Sequence, residues 1–310
     1  MKSIQSNIKK AKKYLDKNHC VAVPTETVYG LAGNAYSDLS VKKIFELKKR
    51  PMNNPLIVHY SDINNLKDDC VINDSFIKLY NKLSPGPITF ILKLKKSSKI
   101  SKFVTNKQKS VAVRFPKHPL FKKLLKSLNY PLAAPSANMS TRLSSVKASD
   151  VIEEFGSRIK YVLDGGKCQI GLESTIINLL GKPTILRFGG LDVSKIEKIL
   201  KKKVIIKTNS KKKIAPGQFH LHYSPGIPLR TNAKKPKTGE AFVLIKKRKT
   251  TFRNYYYLSK KNNLKQSAKN LYALLRKIKK DGYKMIAVEK IQNKGIGKTI
   301  NDRLSRASKY

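Results

Sequence analysis

Polar side chains capable of chemistry occur in six short segments, five beside an apolar stretch typical of a β-strand and one, residues 48–50, at the end of a predicted helix. The first segment, residues 24–30, supplies two threonine hydroxyls and a carboxylate directly after the strand predicted at residues 20–23. The other five carry, in chain order, Lys48 with Arg50, Arg114, Ser136 with Asn138, Glu173 with Ser174, and Arg187. Because polar groups at the strand ends of an α/β sheet converge on one crevice, the sequence predicts a single site.

Arg114 and Arg187 each end an apolar strand in this prediction. Each of them needs a charged partner or a ligand, since a desolvated and unpaired charge is unfavourable. Together with the basic residues 48–50 they predict an anion-binding site without an obvious nucleophile. Such a site favours the binding of nucleotide and carboxylate groups, with catalysis by positioning and charge stabilisation.

Other signatures of nucleotide or hydrolase chemistry are weak. The segment GIGKT at residues 295–299 looks like the end of a P-loop, but Gln292 stands where the motif requires its first glycine. We therefore predict a tight turn there, before a final helix that starts at about residue 300. No GxGxxG, HExxH or GxSxG motif is present, and a Ser-His-Asp triad stays open at the level of sequence.

Predicted strands and helices alternate without strict βαβ regularity, which indicates an α/β domain with a mixed sheet rather than a regular Rossmann fold. Residues 207–237 are rich in Lys, Pro and Gly, and this composition predicts a linker. Because the linker carries His222 and Tyr223 between two domains, it is also predicted to act as a lid over the crevice. The predicted organisation is a first domain at 1–206, the linker, and a small second α/β domain at 238–310. Within the second domain, Tyr255, Tyr256 and Tyr257 predict a strand with one buried and two partly exposed rings.

Charge dominates the composition. The 310 residues include 66 basic and 19 acidic side chains, and residues 201–310 alone hold 31 basic and four acidic ones. One interpretation is an RNA-binding surface that neutralises phosphates and releases counterions. The other is an accumulation of lysine on solvated faces, because 55 of the basic residues are Lys, which binds phosphate less specifically than Arg.

The longest apolar runs are about five residues, whereas a membrane-spanning helix needs roughly 20. The first residues carry charges but no apolar segment of the kind that secretory signals contain. The three cysteines lie far apart and suggest neither a disulfide framework nor a zinc site. These features predict a cytoplasmic protein without a membrane partner.

Seven segments resemble, in the same order, motifs of the YrdC-domain family of threonylcarbamoyl-AMP synthases. They are PTETVYGLAGNA, FELKKRPMNNPLIVH, PGPITFIL, VAVRFPKHP, PLAAPSANMS, GLESTIIN and ILRFGG, and they run through residues 20–190. APGQFHLHYSP and GIGKTINDRLSRAS resemble the linker and the C-terminal helix of the longer, two-domain form of the family. The resemblance implies a YrdC-like twisted mixed sheet with flanking helices, followed by a small Rossmann-like C-terminal α/β domain.

Members of this family make L-threonylcarbamoyl-adenylate and pyrophosphate from L-threonine, bicarbonate and ATP. The resemblance thus implies a nucleotidyltransferase whose Mg2+ accompanies ATP and whose product passes to the machinery that forms N6-threonylcarbamoyladenosine in tRNA. Direct contact with tRNA is an open expectation. The alternatives are a non-catalytic basic RNA-binding protein and a carbamoyl-transfer enzyme, although the acylphosphatase and zinc segments of such enzymes are not visible here.

Carried over motif by motif, the resemblance implies catalytic roles for Lys48 and Arg50 and no protein ligand for a metal. It implies ATP contacts at Arg50, Asn54, Ser110, Ser136, Asn138, Ser144, Arg187 and Tyr223. It implies threonine contacts at Thr27, His59, Arg114, Ala134 and Ser174. The chain departs from the family pattern at Phe219 and Leu221 in the linker, and at Thr141, where a turn usually contains glycine because only glycine takes a positive φ freely.

Overall fold

The computed structural model describes residues 4–208, 214–216, 222–249 and 252–309, so Phe219 and Leu221 lie outside the described residues. In these ranges the helices are α1 (Ile4–Asp16), α2 (Asp38–Lys48), α3 (Ile63–Lys67), α4 (Asp74–Leu83), α5 (Lys102–Thr105), α6 (Pro119–Lys126), α7 (Ala148–Phe155), α8 (Val193–Leu200), α9 (Leu264–Lys280) and α10 (Ile296–Ala307). Within the same ranges, none of the helices combines the length and the apolar character needed to cross a membrane.

The strands form two sheets. They are β1 (Val21–Val23), β2 (Gly30–Asn34), β3 (Ile57–His59), β4 (Ile88–Lys93), β5 (Ser110–Arg114), β6 (Leu132–Ala133), β7 (Tyr161–Val162), β8 (Thr175–Asn178), β9 (Thr184–Arg187), β10 (Ile205–Ile206), β11 (Leu229–Arg230), β12 (Glu240–Lys246), β13 (Tyr255–Ser259) and β14 (Met285–Val288). The first sheet has ten strands in the order β10-β9-β8-β4-β5-β3-β6-β2-β1-β7. The sheet contains both parallel pairs, such as β3 with β5, and antiparallel pairs, such as β4 with β5, which confirms the predicted mixed sheet.

The second sheet has four parallel strands in the order β11-β14-β12-β13, and this arrangement agrees with a small Rossmann-like unit. Its first strand, β11, lies inside the segment predicted as linker, so the second sheet begins before residue 238. The residues of β11 form a strand because they pair with β14, although the composition of this segment is typical of a linker. The rings of Tyr255, Tyr256 and Tyr257 are all partly buried, so the expected division into one buried and two partly exposed rings is wrong.

The last helix starts at Ile296 rather than near residue 300, so the predicted start is wrong. The turn predicted before it is present but earlier, since the Gly297 amide donates a hydrogen bond of 2.9 Å to the Lys294 carbonyl. Gly295 precedes the helix with a φ of 53°, in the left-handed region that favours glycine. A Cβ on Gly297 would lie 2.0 Å from the carbonyl oxygen of Gln292. The Thr299 hydroxyl donates a hydrogen bond of 2.9 Å to the Gly189 carbonyl, so this segment docks α10 on the first domain.

Local sequence signals place the basic residues beside the sheet. The Ser37 side chain caps α2 by accepting a hydrogen bond from the Ser40 amide, as expected for a helix N-terminus. The helix ends where Lys49 takes a left-handed φ of 48°, and Arg50 follows at once. In the sheet, the register of β3 and β5 pairs His59 with Arg114, which brings these side chains to one edge.

Candidate functional site

A cavity lies at the edge of the first sheet where β3, β5 and β9 end and β8 begins. Eight of the fourteen predicted site residues line it: Arg50, His59, Arg114, Ala134, Ser136, Ser174, Arg187 and Tyr223. The six that do not line it are Thr27, Lys48, Asn54, Ser110, Asn138 and Ser144. The predicted convergence of strand-end groups on one crevice is thus seen for most of the segments, and the role of each residue stays a prediction.

Four of the five residues predicted to contact threonine line one side of the cavity, and these are His59, Arg114, Ala134 and Ser174. Arg114 is buried and donates through Nη2 to Glu26 Oε1 at 2.7 Å, while its Nε has no partner among the described residues. Burial, and then the nearby Arg114 charge, lower the pKa of His59 well below its usual value, so its imidazole is neutral. The hydroxyl of Ser174 lies 2.7 Å from that of Thr89. This side therefore offers one guanidinium edge and several neutral polar groups.

Arg50 and Arg187 form the basic side of the cavity. Arg50 donates to the carbonyl oxygens of Asn54 at 3.0 Å and Pro55 at 2.9 Å. Arg187 donates to the Ser174 carbonyl at 3.1 and 2.9 Å and to the Ser174 hydroxyl at 3.1 Å. Burial, and then the charge of Arg187, lower the pKa of Arg50 to about 9. Within the described part of the chain neither guanidinium forms a salt bridge, so the pair is suited to an anionic ligand.

Lys48 supports the loop that carries Ser136 and Asn138. Its Nζ donates to the Ser136 carbonyl at 2.5 Å and also to the Asn138 carbonyl. Burial, and then the charge of Arg50, lower the pKa of Lys48 well below its usual value. The catalytic role implied for Lys48 stays a prediction, since the contacts of its amine are with the loop behind the cavity wall.

Two asparagine side chains behind that wall keep a free acceptor. The Asn138 Nδ2 donates to the carbonyls of Met139 and Arg142, at 2.7 and 2.9 Å. Oδ1 of Asn138 and Oδ1 of Asn54 are both buried, and neither has a partner among the described residues. Buried polar atoms are usually hydrogen-bonded, so these two oxygens mark places where a ligand or a small rearrangement would supply a donor.

The remaining three predicted residues lie away from the cavity surface. The hydroxyl of Thr27 is 2.7 Å from that of Thr25, which itself lines the cavity. Ser144 donates to Glu173 Oε1 at 2.5 Å. Ser110 begins β5 whereas Arg114 ends it, a separation of roughly 13 Å for four residues of extended strand. Thr27 and Ser144 therefore stand one hydrogen bond behind lining residues, and Ser110 stands at the opposite strand end.

The linker contributes His222 and Tyr223 to the cavity wall. Tyr223 is buried, and its hydroxyl has no hydrogen-bond partner among the described residues. Burial lowers the pKa of His222 to about 3 and raises the pKa of Tyr223 to about 12, so both side chains are neutral. The two rings are in contact, with centroids 4.0 Å apart. These two linker residues thus lie on the wall of the cavity that Arg50 and Arg187 also line, and the lid role of the linker stays a prediction.

Sequence reasoning missed the partners of the buried charges. Glu26 pairs with Arg114, and Glu173 pairs with Arg303 at 2.9 Å. Both glutamates were visible in the motif segments, but nothing local indicates a partner 88 or 130 residues away. The chain has few acidic residues, and a buried carboxylate is rarely left without a cation. A glutamate inside a motif segment could therefore have been predicted to pair with a buried arginine, although not with which one.

The described residues contain no group of three or more His, Cys, Asp or Glu side chains able to hold a metal ion. Glu173, the carboxylate on the cavity wall, already accepts from Ser144, Tyr272 and Arg303. These residues do not form a binding site for Mg2+. An Mg2+ that arrives with ATP would belong to the substrate, and no step below is assigned to it.

Comparison with known proteins gives matches over both parts of the chain. The Sua5/YciO/YrdC family model, described as "Telomere recombination", matches residues 13–189. A second model, "Threonylcarbamoyl-AMP synthase, C-terminal domain", matches residues 191–309. Two proteins named threonylcarbamoyl-AMP synthase, from Pyrococcus abyssi and Bacillus subtilis, are 34% and 35% identical over 96% and 97% of this chain, and 92% of each is covered.

A solved structure gives the same result. The crystal structure of P. abyssi Sua5 complexed with L-threonine superposes with a TM-score of 0.90 and 31% sequence identity. The superposition covers 99% of this chain and 95% of that one. The similarity therefore includes both sheets.

Proposed function

This chain belongs to the Sua5/YciO/YrdC family, in the two-domain form whose members are named threonylcarbamoyl-AMP synthase, and on that premise we propose that it makes L-threonylcarbamoyl-adenylate. Enzymes of this form are nucleotidyltransferases that transfer AMP. The substrates would be L-threonine, bicarbonate and ATP, with release of pyrophosphate. The product would pass to the machinery that modifies tRNA.

One observation carries the proposal. Arg50 and Arg187 are buried on one cavity wall and bind only carbonyl and hydroxyl oxygens among the described residues. Burial lowers the pKa of both guanidiniums, and the charge of Arg187 lowers that of Arg50 further, so a bound polyphosphate would stabilise their charged forms. An RNA backbone fits this wall less well, because the side chains are buried rather than presented on an open surface.

The proposed chemistry needs no covalent enzyme intermediate. Bicarbonate releases hydroxide to give CO2, the amine of threonine forms a C–N bond to its carbon, and the amine proton joins the hydroxide as water, which leaves an N-carboxylate. That carboxylate attacks the α-phosphorus of ATP, a new C–O–P bond forms, and the bond to the pyrophosphate oxygen breaks. Arg114, through its unpartnered Nε, would bind the threonine carboxylate, and Arg50 and Arg187 would stabilise the charge on the phosphates.

The test is an assay of pyrophosphate release with single omissions. Release should require ATP, L-threonine and bicarbonate together, and omission of either co-substrate should return the rate to background. L-valine is the matched control, because it replaces the threonine hydroxyl by a methyl and would leave the hydroxyls of Thr25 and Ser174 without that partner. Pyrophosphate release that is indifferent to threonine would overturn the proposal.

A further inference from the structure

Two helices of the second domain each contribute one side chain to a group of four buried residues beside the cavity of the first domain. We call this group the interdomain clamp: Glu173 from the first domain, Tyr223 from the linker, and Tyr272 and Arg303 from α9 and α10. Arg303 Nε donates to Glu173 Oε2 at 2.9 Å, and its Nη2 donates to the Phe188 carbonyl at 2.7 Å. The Tyr272 hydroxyl donates to the two Glu173 oxygens at 3.2 and 3.1 Å.

The clamp encloses the aromatic ring of Tyr223. The guanidinium carbon of Arg303 lies 4.5 Å from the ring centroid, within cation–π distance. The ring of Tyr272 lies 5.9 Å away, tilted by only 16°, as in a stacked pair. The backbone of Tyr223 has a φ of 65°, a conformation that a bulky residue keeps only where its surroundings impose it.

The charge balance of the clamp also depends on Arg303. Burial alone would raise the pKa of Glu173, but the charges of Arg303 and Arg187 and the Ser144 hydroxyl hold it at about 2. The carboxylate is therefore ionised and links Arg303 electrostatically to a guanidinium of the cavity wall. Removing one member of such a buried pair is strongly unfavourable, so the second domain is fixed to the cavity at this point.

We propose that Arg303 is a positioning residue for the nucleotide, which holds Tyr223 over the cavity and so lets the second domain set the affinity for ATP. Arg303 does not line the cavity, whereas Tyr223 does, so its influence on the ligand passes through the tyrosine ring. This inference rests on the proposed function only for its kinetic readout, because nucleotide binding can also be measured directly.

A simple docking role for Arg303 is the competing explanation, and Arg276 provides the matched control. Arg276 comes from α9, the helix that carries Tyr272, and like Arg303 it joins the domains, with Nη2 donating to the Leu143 carbonyl at 2.6 Å and Nε 3.9 Å from Asp150. It makes no described contact with Tyr223. Arg276→Met therefore weakens the interdomain contact and leaves the clamp in place.

The experiment is a double-mutant cycle on the full chain with Arg303→Met, Tyr223→Leu and the pair. The readouts are KM for ATP and kcat for pyrophosphate release, and the Kd of a non-hydrolysable ATP analogue by calorimetry. In the wild-type background, Arg303→Met should raise KM and Kd about tenfold or more. In the Tyr223→Leu background it should change them less than twofold, and Arg276→Met should leave both within twofold of wild type.

Equal effects of Arg303→Met in both backgrounds, or equal effects of Arg303→Met and Arg276→Met on Kd, would overturn the inference. If Arg303→Met does not fold, Arg303→Lys replaces it, since lysine keeps the charge beside Glu173 but not the planar group over the ring. The same comparison of backgrounds then decides. A wild-type protein that binds the analogue without threonine-dependent turnover would count against the proposed function alone, and the Kd cycle would still test the clamp.

Discussion

At the scale of single residues, the three cavity arginines differ in whether a neighbouring group of the protein balances their positive charge. Arg114 has a carboxylate partner in Glu26, whereas Arg50 and Arg187 have only neutral acceptors among the described residues. A neutralised guanidinium orients a ligand, while an unneutralised one also gains from the charge that a ligand brings. Arg50 should therefore contribute more to a reaction in which phosphate charge develops.

Arg50→Ala should lower kcat/KM for pyrophosphate release by about 100-fold or more, on the order of 3 kcal/mol, the loss typical of one transition-state charge donor. Arg50→Lys should rescue little, because an ammonium does not reproduce the planar fork. Steady-state kinetics measures the effect, and Arg253→Ala on the surface of the second domain is the control. A folded Arg50→Ala enzyme with near wild-type activity would show that Arg50 only terminates the α2 region.

The buried imidazole of His222 should make the free energy of unfolding depend on pH. Its pKa is lowered from 6.5 to about 3, first by burial and then by Arg50 and Arg303, although Glu173 opposes this. Below pH 6.5 the unfolded chain takes up a proton that the folded chain does not, so stability falls as the pH decreases towards 3. The loss should be at most about 1.4 kcal/mol per pH unit from this group.

Chemical denaturation at several values between pH 7 and pH 4 measures that slope. His222→Gln should flatten it, whereas the control His19→Gln should not, because His19 lies outside the cavity. Glu173 adds a loss of stability in the same direction at lower pH, but it does so equally in both variants. Parallel curves for wild type and His222→Gln would contradict the buried, neutral state of this imidazole.

At the scale of elements, the linker is attached to the first domain through the turn that contains Thr141. Thr141 has a φ of 68°, a left-handed conformation, at a position where the family usually has glycine. The chain therefore keeps the same turn with a non-glycine residue, at a strain energy on the order of 1–3 kcal/mol. The carbonyl of Thr141 accepts a hydrogen bond of 2.8 Å from the Ser224 amide, next to Tyr223. The turn thus fixes the linker where it enters the clamp.

Elements defined by local signals were predictable from the sequence, and elements defined by packing were not. Ser37 and Pro51 mark the ends of the α2 region without tertiary information. The strand β2, with the sequence GLAGN, has low β-propensity and was not predicted. It forms because its small residues admit close packing: a Cβ on Gly33 would lie 2.6 Å from the Ser40 hydroxyl. The same holds for the candidate site. Arg50 and Arg187 could be predicted because they lie at the ends of a predicted helix and a predicted strand, whereas no local signal predicts the contact of Glu173 with Arg303.

If the linker acts as a lid, bound substrates should protect it from proteolysis. Trypsin cleavage within residues 207–237 should slow when ATP and L-threonine are both present, because a closed lid excludes the protease as well as water. Tyr223→Phe is the informative variant, since the buried ring is kept and only the unpartnered hydroxyl is removed. It should raise KM for ATP severalfold with little change in Tm. Equal cleavage rates with and without substrates, together with a silent Tyr223→Phe, would leave the linker as a tether.

At the scale of the whole molecule, the charge of +47 raises the question of RNA contact. Deletion of the second domain is a poor test, because it would strip Arg303 and Tyr272 from the buried Glu173. A groove between the domains offers a sharper one. Among the residues that the structure describes, it is lined by five exposed lysines and only one carboxylate, that of Asp192. The lysines are Lys82, Lys117, Lys195, Lys265 and Lys294.

If this groove binds tRNA, replacing its five lysines by Gln should make the affinity fall less steeply with salt. Each phosphate contact contributes roughly 0.7–0.9 to the slope of log K against log salt, so the slope should decrease by up to about four.

The matched control replaces five exposed lysines on and beside α1 and α6, and these are Lys9, Lys13, Lys17, Lys123 and Lys126. Both variants have the same net charge, so a difference between their slopes reports position alone. Filter binding of tRNA and of an unrelated polyanion over a salt series measures it. Identical slopes for the two variants, or equal affinity for tRNA and the polyanion, would show that the excess of lysine is a general surface property with no RNA site in the groove.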